Sequence, residues 1–430
     1  MTTRTVISGG RVLDPASNRD EIATVTLEDG IITAIESGTS SAAKIPAGTV
    51  HIDATGHWVT PGFIDLRTHL REPGEEWKET VATAARAAVA GGFTTICAMP
   101  GTIPVNDEAS VTNHIRQQGE RANLARVLPI GATTQGLAGE TLADMGDMKA
   151  AGAAGVSDGD KPVTSCRMMR RVMEYARTYK LPVMTCSYDS SLASGGVMHE
   201  GLLSTRLGLP PIPAAAEIIA VARDIELAKM TGARVHLGRL SSAGSIPLLR
   251  AAQELGASVT AEVTPHHLTM TEAAVAEYDT NCHVIPPLRA ESDRQALLAA
   301  VEEGLISCIA TDHAPQNIAD KELEFVYAAP GMVGLETAFS TILGLVNAEE
   351  LSALSAIRAL TLGPAEVLGI SAGRLEVGAI ADIAVFDPTL HWTVLEQNLR
   401  SESYNTPLIG SEVTGRATAV FVGGKQVLEP

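Results

Sequence analysis

The feature that most constrains the fold is an alternation of short apolar runs with alanine-rich helical stretches over roughly residues 60–365. It begins with V-T-P-G-F-I-D-L, continues with the helical stretch E-T-V-A-T-A-A-R-A-A-V-A-G-G, and reaches a second apolar run, F-T-T-I-C-A-M-P. Strands that alternate with helices in this way are typical of a (β/α)8 barrel, whose parallel strands are buried on both faces. Five further runs follow along the chain: A-A-G-V-S-D, L-P-V-M-T-C-S, A-R-V-H-L-G-R-L, A-S-V-T-A-E-V-T-P and I-S-C-I-A-T-D-H.

The two ends of the chain have a different pattern, which indicates a second, smaller β domain. Residues 4–14 and 23–36 are predicted strands, and Asp29-Gly30 is a hairpin signal between alternating runs. Residues 381–388 and 419–427 repeat this pattern near the other end. The predicted fold class is therefore α/β, a TIM (β/α)8 barrel with a small flanking β-sandwich formed by both chain ends. The predicted domains are a composite sandwich of residues 1–58 and 370–430 and a barrel of residues 59–369.

Composition and charge exclude several classes of protein. The chain has 32 Lys and Arg residues against 50 Asp and Glu residues, a formal charge of −18, and no basic run. We therefore expect no nucleic-acid partner. No apolar stretch reaches the roughly 18 residues that cross a bilayer, and the N-terminus lacks the features of a signal peptide. The five cysteines are widely spaced, without a C-x-x-C pair, which predicts reduced thiols and a cytoplasmic location.

Polar residues that follow the predicted strands are the candidate site residues. The carboxyl ends of the strands of a barrel meet at one face, and that face carries the active site in characterised barrel enzymes. Seven segments meet this criterion, namely residues 65–74, 99–102, 157–160, 185–187, 236–239, 264–267 and 310–316.

Several motifs in these segments resemble one known family. P-G-F-I-D-L-R-T-H-L-R-E-P-G, E-V-T-P-H-H-L, P-P-L-R, A-T-D-H-A-P and G-M-V-G-L-E-T-A-F are similar to motifs of the dihydroorotase branch of the amidohydrolase superfamily. They occur in the family's order and span nearly the whole chain. The resemblance implies a metal-bearing barrel with a flanking β-sandwich. It also implies the reversible closure of carbamoyl aspartate to dihydroorotate in pyrimidine synthesis.

The positions of the family's zinc-binding histidines are mostly replaced. The family begins its site with His-x-His, whereas this chain has Arg67-Thr68-His69. The next histidine of the family is replaced by Cys186, and the following one by Arg239. Of the zinc-binding histidines, the resemblance therefore leaves only His69 in place.

The acidic positions are better retained. The family's Asp-Asp-Gly motif, which supplies a ligand, corresponds to Asp158-Gly159-Asp160, so either aspartate can be its counterpart. Asp312, at the family's base position, is present. The predicted remnants of the metal site are therefore His69, Asp158 or Asp160, and Asp312.

The resemblance also marks positions that contact the substrate in the family. Arg71, which pairs with a substrate carboxylate in the family, is present. The family's asparagine in M-P-N-T is Gly101 here, its asparagine in N-P-P-L-R is Ile285, and the histidine of D-H-A-P-H is Gln316. The loss of substrate contacts thus accompanies the loss of metal ligands.

Arginine at a ligand position has a clear chemical consequence. Zinc needs a lone pair from a neutral imidazole, a thiolate or a carboxylate, whereas a guanidinium has only donors and stays protonated. We therefore expect no metal cofactor. Arg67 and Arg239 are instead predicted to form ion pairs with Asp312 and with Asp158 or Asp160, because a buried carboxylate needs a compensating charge.

Other histidines and cysteines near the strand ends have simpler interpretations. We predict structural roles for His236, His266, His267 and His313, and a buried, inert thiol for Cys186.

Three functions remain open from the sequence. The first is a non-catalytic homologue, resembling inactive family members that hold aspartate transcarbamoylase in a mixed complex. The second is an active dihydroorotase with one zinc ion on His69, Cys186 and an aspartate. The third is a metal-free barrel that binds an anion through Arg67, Arg71 and Arg239. The resemblance also implies a homo-oligomer, most simply a dimer.

Overall fold

A computed structural model describes residues 4–38 and 48–428. Parts of the predicted sandwich, residues 1–3, 39–47 and 429–430, lie outside the described residues. The strands are β1 (Arg4–Asp14), β2 (Arg19–Glu28), β3 (Ile31–Ser37), β4 (Val50–Asp53), β5 (Trp58–Pro61), β6 (Phe63–Thr68), β7 (Phe93–Ala98), β8 (Arg126–Ala132), β9 (Gly155–Ser157), β10 (Val183–Cys186), β11 (Met198–His199), β12 (Pro211–Ile212), β13 (Val235–Gly238), β14 (Val259–Val263), β15 (Cys308–Ile309), β16 (Ile383–Thr393), β17 (Glu412–Val422) and β18 (Lys425–Leu428).

Helices occupy most connections between the barrel strands. They are α1 (Val81–Ala90), α2 (Ala109–Ala122), α3 (Met145–Ala151), α4 (Cys166–Thr178), α5 (Leu202–Leu207), α6 (Ala215–Thr231), α7 (Ile246–Glu254), α8 (Pro265–Thr269), α9 (Glu291–Glu302), α10 (Ile318–Lys321), α11 (Ala338–Asn347), α12 (Ala353–Leu360) and α13 (Leu362–Leu368). Short 3-10 turns lie at Gln135–Leu137, Ala243–Ser245, Glu272–Val275, Thr280–Cys282 and Glu396–Asn398.

Eight parallel strands form the predicted barrel. Their order is β6-β7-β8-β9-β10-β13-β14-β15, which is also their order along the chain. The first and last strands meet where Thr68 forms a parallel bridge with His313, and the His69 amide donates to the His313 carbonyl at 2.8 Å. Every residue of β6 is buried, which explains why this strand has an apolar run rather than an alternating pattern. The predicted fold class is confirmed.

The two chain ends join in one flanking sheet of eight strands. Its order is β18-β17-β16-β5-β1-β2-β3, with β4 paired to β1. The sheet is curled. The β2–β3 turn at Gly30, next to one edge strand, packs on the β17–β18 turn at Gly424, next to the other edge strand. Both glycines have positive φ, and a Cβ at Gly424 would lie 2.5 Å from the Gly30 Cα. Buried residues inside the curl form a separate core, which includes Ile7, Val25, Val59, Ile383 and Phe421.

Some predicted strands have different limits in the structure. The run V-T-P-G-F-I-D-L contains both β5 and β6, which are separated at Gly62, where a Cβ would lie 2.1 Å from the Thr94 side chain. Because β5 pairs with β1 and β16, the flanking sheet reaches Pro61, beyond the predicted boundary at residue 58. The prediction missed β8, in which Pro129 counts against a central strand. The predicted strand 419–427 divides into β17 and β18 at a diglycine turn.

Two features bear on the predicted location. Within the described ranges, no helix is long and apolar enough to cross a membrane. All five cysteines are free thiols, and four of them are buried, the exception being Cys166. The cytoplasmic location stays a prediction.

Candidate active-site cluster

The predicted metal positions converge at the carboxyl ends of the barrel strands. Arg67 lies within β6 and His69 just beyond it, Cys186 is the last residue of β10, Arg239 follows β13, and Asp312 follows β15. Four of these five side chains form a chain of contacts, in which Arg239 contacts Cys186 and Asp312, and Asp312 contacts His69.

The Arg239 guanidinium lies at the centre of the cluster. Its Nη1 atom is 2.9 Å from Asp160 Oδ1 and 3.3 Å from both carboxylate oxygens of Asp312. Its Nη2 atom lies 3.4 Å from the Cys186 sulfur. The arginine is 4% exposed, whereas the Asp160 side chain is about half exposed. The predicted ion pair of Arg239 with an aspartate is confirmed.

His69 contacts the same two aspartates. Its Nε2 atom is 3.6 Å from Asp160 Oδ2 and 3.7 Å from Asp312 Oδ1. Burial alone raises the pKa of the Asp312 carboxyl, but the charge of Arg239 and the contact with His69 outweigh it and hold this pKa well below its usual range. Asp312 is therefore a buried carboxylate whose charge is balanced by a guanidinium.

Arg67 has a different partner from the one predicted. Its Nε atom donates to Glu262 Oε1 at 2.6 Å, and both side chains are fully buried. The prediction of an aspartate partner is wrong because Glu262, on β14, is a buried carboxylate that itself needs a cation. Glu262 also contacts His236 Nε2 at 3.0 Å. Burial raises the pKa of Glu262, but the charge of Arg67 outweighs this effect and lowers that pKa to about 2.

Asp158, the other candidate of the Asp-x-Asp pair, lies outside the cluster. Its carboxylate accepts hydrogen bonds from the backbone amides of Cys186, at 2.7 Å, and Val163, at 3.1 Å. Burial raises its pKa to about 7. Asp160 is therefore the aspartate of this pair that contacts Arg239 and His69, whereas Asp158 binds the backbone of the loop behind it.

The predicted substrate-contact positions line a small cavity of about 200 Å³ beside the cluster. Arg71, Ile285 and Gln316 border it, whereas Gly101 is exposed and does not. Arg71 donates from Nε to the Pro315 carbonyl at 3.0 Å, and its Nη1 lies 3.5 Å from Glu75. The positive charge of Arg71 is thus already partly balanced within the chain.

Three of the four histidines assigned structural roles have partners that fit this role. His236 contacts Thr260 and Glu262, His267 contacts Thr264 and the Pro286 carbonyl, and His313 lies 3.3 Å from the buried Glu79. The Nε2 atom of His266 has no hydrogen-bond partner among the described residues, and burial lowers the pKa of this imidazole to about 4. His266 is therefore a neutral side chain behind the cluster.

Sequence reasoning missed Glu262 and Gly238. A glutamate inside the apolar run A-S-V-T-A-E-V is a signal that could have identified the first, because a charged residue on a buried strand needs a partner. Gly238 leaves room for Arg67, since a Cβ there would lie 2.2 Å from Arg67 Nη2 and 2.6 Å from the Thr185 carbonyl oxygen. No sequence pattern could have predicted this close approach of Gly238 to Arg67.

These side chains do not fit a zinc ion. Two of the family's ligand positions present guanidinium groups, which have no lone pair to offer. The third carries Cys186, and burial, only partly opposed by Arg239, raises the pKa of its thiol to about 12. Across residues 4–38 and 48–428, no three His, Cys, Asp or Glu side chains are grouped as metal ligands. The cluster is an internal ion-pair network.

The contact between Gly238 and Arg67 gives a testable expectation. We expect Gly238→Ala to lower the free energy of unfolding by about 1–3 kcal/mol, because neither the paired Arg67 nor the Thr185 backbone can move aside easily. Gly344→Ala is the matched control, since nothing lies within 4 Å of a Cβ at that helical position. Thermal unfolding of both variants measures the difference. Equal stability of the two would show that Arg67 does not need the space at Gly238.

The buried carboxyls of Asp65 and Asp158 contribute stability that depends on pH. Burial raises the pKa of both to about 7. These two groups bind protons in the folded chain between pH 4 and 7 that they release in the unfolded chain, so their contribution to stability falls as pH rises through this range. Buried His266 and His283, whose pKa values are lowered to about 4, act in the opposite direction, so the contribution is measured on a variant. Relative to the wild type, Asp65→Asn should lower the melting temperature at pH 5.5 by about 2 °C more than at pH 8. Equal effects of the substitution at the two pH values would contradict the raised pKa of Asp65.

The chain is similar over nearly its whole length to proteins of one known family. A profile of the amidohydrolase family matches residues 58–427. A dihydroorotase of Anaeromyxobacter dehalogenans is 48% identical over 425 residues, which cover 98% of this chain and 97% of that protein. A dihydroorotase of Desulfotalea psychrophila is 46% identical, with 98% of each chain covered.

Solved structures agree in fold. The L-hydantoinase (dihydropyrimidinase) from Arthrobacter aurescens superposes with a TM-score of 0.88 at 24% identity, covering 100% of this chain and 96% of that one. The dihydropyrimidinase from Brevibacillus agri gives a TM-score of 0.82 at 20% identity, covering 99% and 95%. These structures support the barrel with its flanking sheet. The family profile, and the identity of 46–48% to two dihydroorotases over nearly their whole length, show that this chain belongs to the amidohydrolase family and, within it, to the dihydroorotase branch.

Proposed function

We propose that this chain is a non-catalytic member of the dihydroorotase branch. The observation that carries the proposal is the position of Arg239, whose guanidinium lies 2.9 Å from Asp160 and 3.3 Å from Asp312. These are the carboxylates that remain at the family's ligand positions, and the guanidinium of Arg239 already pairs with both of them.

The energetics of the cluster oppose its conversion into a metal site. Zinc could reach Asp312 only if Arg239 moved out, which would leave a buried guanidinium without its partners. Arg67, in addition, is fully buried and tied to Glu262 at 2.6 Å. Two fixed cations in the ligand shell would repel a divalent ion.

A ring-closure assay tests the proposal. The purified chain is incubated with carbamoyl aspartate, and in the reverse direction with dihydroorotate, with and without added zinc. We expect no turnover above the protein-free background under any of these conditions. Zinc-dependent turnover that follows the protein through purification would overturn the proposal.

We also propose that the chain acts as a structural partner of aspartate transcarbamoylase, assembling as a homo-oligomer, most simply a dimer, in the cytoplasm. The support is the resemblance to inactive homologues with that role, together with a complete barrel that has lost its ligands. Co-expression with the transcarbamoylase of the same organism, followed by size-exclusion chromatography, tests it. Separate elution of the two proteins at micromolar concentration would refute this assembly.

The active alternative rests on relatives named dihydroorotase, which are 43–48% identical to this chain. It requires a zinc ion on His69, Cys186 and an aspartate. The Cys186 sulfur, however, contacts Arg239 at 3.4 Å, and its high pKa disfavours the thiolate that zinc needs. The anion-binding alternative has less support, because Arg67, Arg71 and Arg239 all have carboxylate partners within the chain.

A further inference from the structure

A second and larger cavity, of about 410 Å³, lies at the barrel mouth. Gln316 lines both this cavity and the one beside Arg239, so the two share a wall. The sides of the larger cavity come from the loop after β6, from α10 and from the segment between β16 and β17. We call it the acidic groove and define it by Trp77, Ile318, Glu322, Glu396, Glu402 and Tyr404.

Exposed apolar side chains form the rim of the groove. Trp77 is 62% exposed, whereas the other two tryptophans, Trp58 and Trp392, are 7% and 9% exposed. Ile318 is 52% exposed. Tryptophan is enriched among the residues that contribute most to protein–protein binding, and an exposed one beside a pocket is a suitable anchor for a partner.

The groove also carries a net negative charge. Glu322, Glu396 and Glu402 are exposed, and none of them is in an ion pair with any described residue. Lys321 also lines the groove, but it is 6% exposed and its ammonium group donates to the carbonyls of residues 329 and 331. Lys78, in the adjoining loop, contacts the carboxylates of residues 75 and 320. Three exposed carboxylates therefore face one buried ammonium group.

The walls are held in place by hydrogen bonds between the loops. Ser403 Oγ donates to the Lys78 carbonyl at 2.7 Å, and the backbone amide of Gln316 donates to Asn405 Oδ1 at 2.9 Å. Asn405 Nδ2 in turn donates to the Ala314 carbonyl at 3.1 Å. The groove is therefore preformed, which lowers the entropic cost of binding.

We propose that the acidic groove binds a basic segment of a partner protein. An arginine or lysine side chain of the segment stacks on Trp77 and pairs with the three carboxylates, while an apolar neighbour covers Ile318. A protein segment fits better than a small cation, because only a longer chain covers apolar side chains on the rim as well as carboxylates inside. The inference goes beyond the proposed function, since it depends neither on the loss of catalysis nor on the identity of the partner.

A fluorescein-labelled nine-residue peptide of alternating arginine and leucine is the probe. We expect saturable binding to the full chain in fluorescence anisotropy, weakened by added salt. Trp77→Ala and the triple variant Glu322→Gln, Glu396→Gln, Glu402→Gln should each weaken binding by about tenfold or more. All of these positions are at the surface, so thermal unfolding should confirm that both variants remain folded.

Two controls separate the groove from the general negative charge of the chain. The triple variant Glu254→Gln, Glu349→Gln, Glu376→Gln removes the same charge from exposed positions elsewhere and should leave binding within about twofold of the wild type. Free arginine and spermidine, at the concentration of the peptide, should not displace it. The proposal is overturned if there is no saturable binding, if the remote triple variant weakens binding as much as the groove variant, or if spermidine competes as well as the peptide.

Discussion

Replacing Arg239 with leucine is expected to lower the free energy of unfolding by about 3–5 kcal/mol. The reason is that Asp312, which is 5% exposed, loses the guanidinium that balances its charge, while His69 alone remains beside it. For a chain of 430 residues, with an unfolding entropy of roughly 2 cal/mol/K per residue, the loss corresponds to a fall in melting temperature of about 3–6 °C. Differential scanning fluorimetry at pH 7.5 measures it.

Two further variants identify the cause of that loss. Arg250→Leu removes an exposed ion pair with Glu303, 2.6 Å long, and should cost less than about 1 kcal/mol. Adding Asp312→Asn to Arg239→Leu should restore part of the lost stability, because the unpaired charge is removed. If Arg239→Leu melts at the wild-type temperature, the arginine does not hold the cluster together.

Restoring histidine at the replaced ligand positions is expected to create a zinc site. The triple variant Arg67→His, Cys186→His, Arg239→His would place three imidazoles beside His69, Asp160 and Asp312, a donor set that suits zinc. We expect at least about one zinc ion per chain after purification. We also expect a zinc-dependent rise in melting temperature, because a ligand that binds only the folded chain stabilises it. The wild type should show neither effect.

The single variant Cys186→His is the matched control. It gains one imidazole but keeps both arginines, so it should remain free of zinc. If it binds zinc as well as the triple variant, the arginines are not the obstacle. A folded triple variant without zinc would lead to the same conclusion.

The fold was accessible from the sequence because its main determinants are local. Apolar runs predict buried parallel strands, and Asp29-Gly30 fixes the β2–β3 hairpin, where both residues have positive φ. The features that the sequence prediction missed depend on contacts between residues that are far apart in the chain. The break between β5 and β6 is set by Thr94 packing on Gly62, and the curl of the flanking sheet by the approach of Gly30 to Gly424.

The site was predictable in its chemistry but only partly in its geometry. The nature of the guanidinium group predicts that Arg239 takes a carboxylate partner, and Asp160 and Asp312 supply it. The sequence could not show that Arg67 pairs with Glu262, since 195 residues separate them and the pairing depends on the positions of β6 and β14 in the barrel. Nor could it decide between Asp158 and Asp160, because both lie in the loop after β9, where the turn at Gly159, with a φ of 62°, sets which side chain faces the cluster.

The zinc content of the purified wild-type chain tests the central claim most directly. The protein is expressed in cells supplied with zinc, purified without chelator, and measured by inductively coupled plasma mass spectrometry. The ion-pair network of Arg67 and Arg239 predicts fewer than about 0.1 zinc ions per chain. Zinc near one ion per chain, lost when Asp312 is replaced by asparagine, would contradict it.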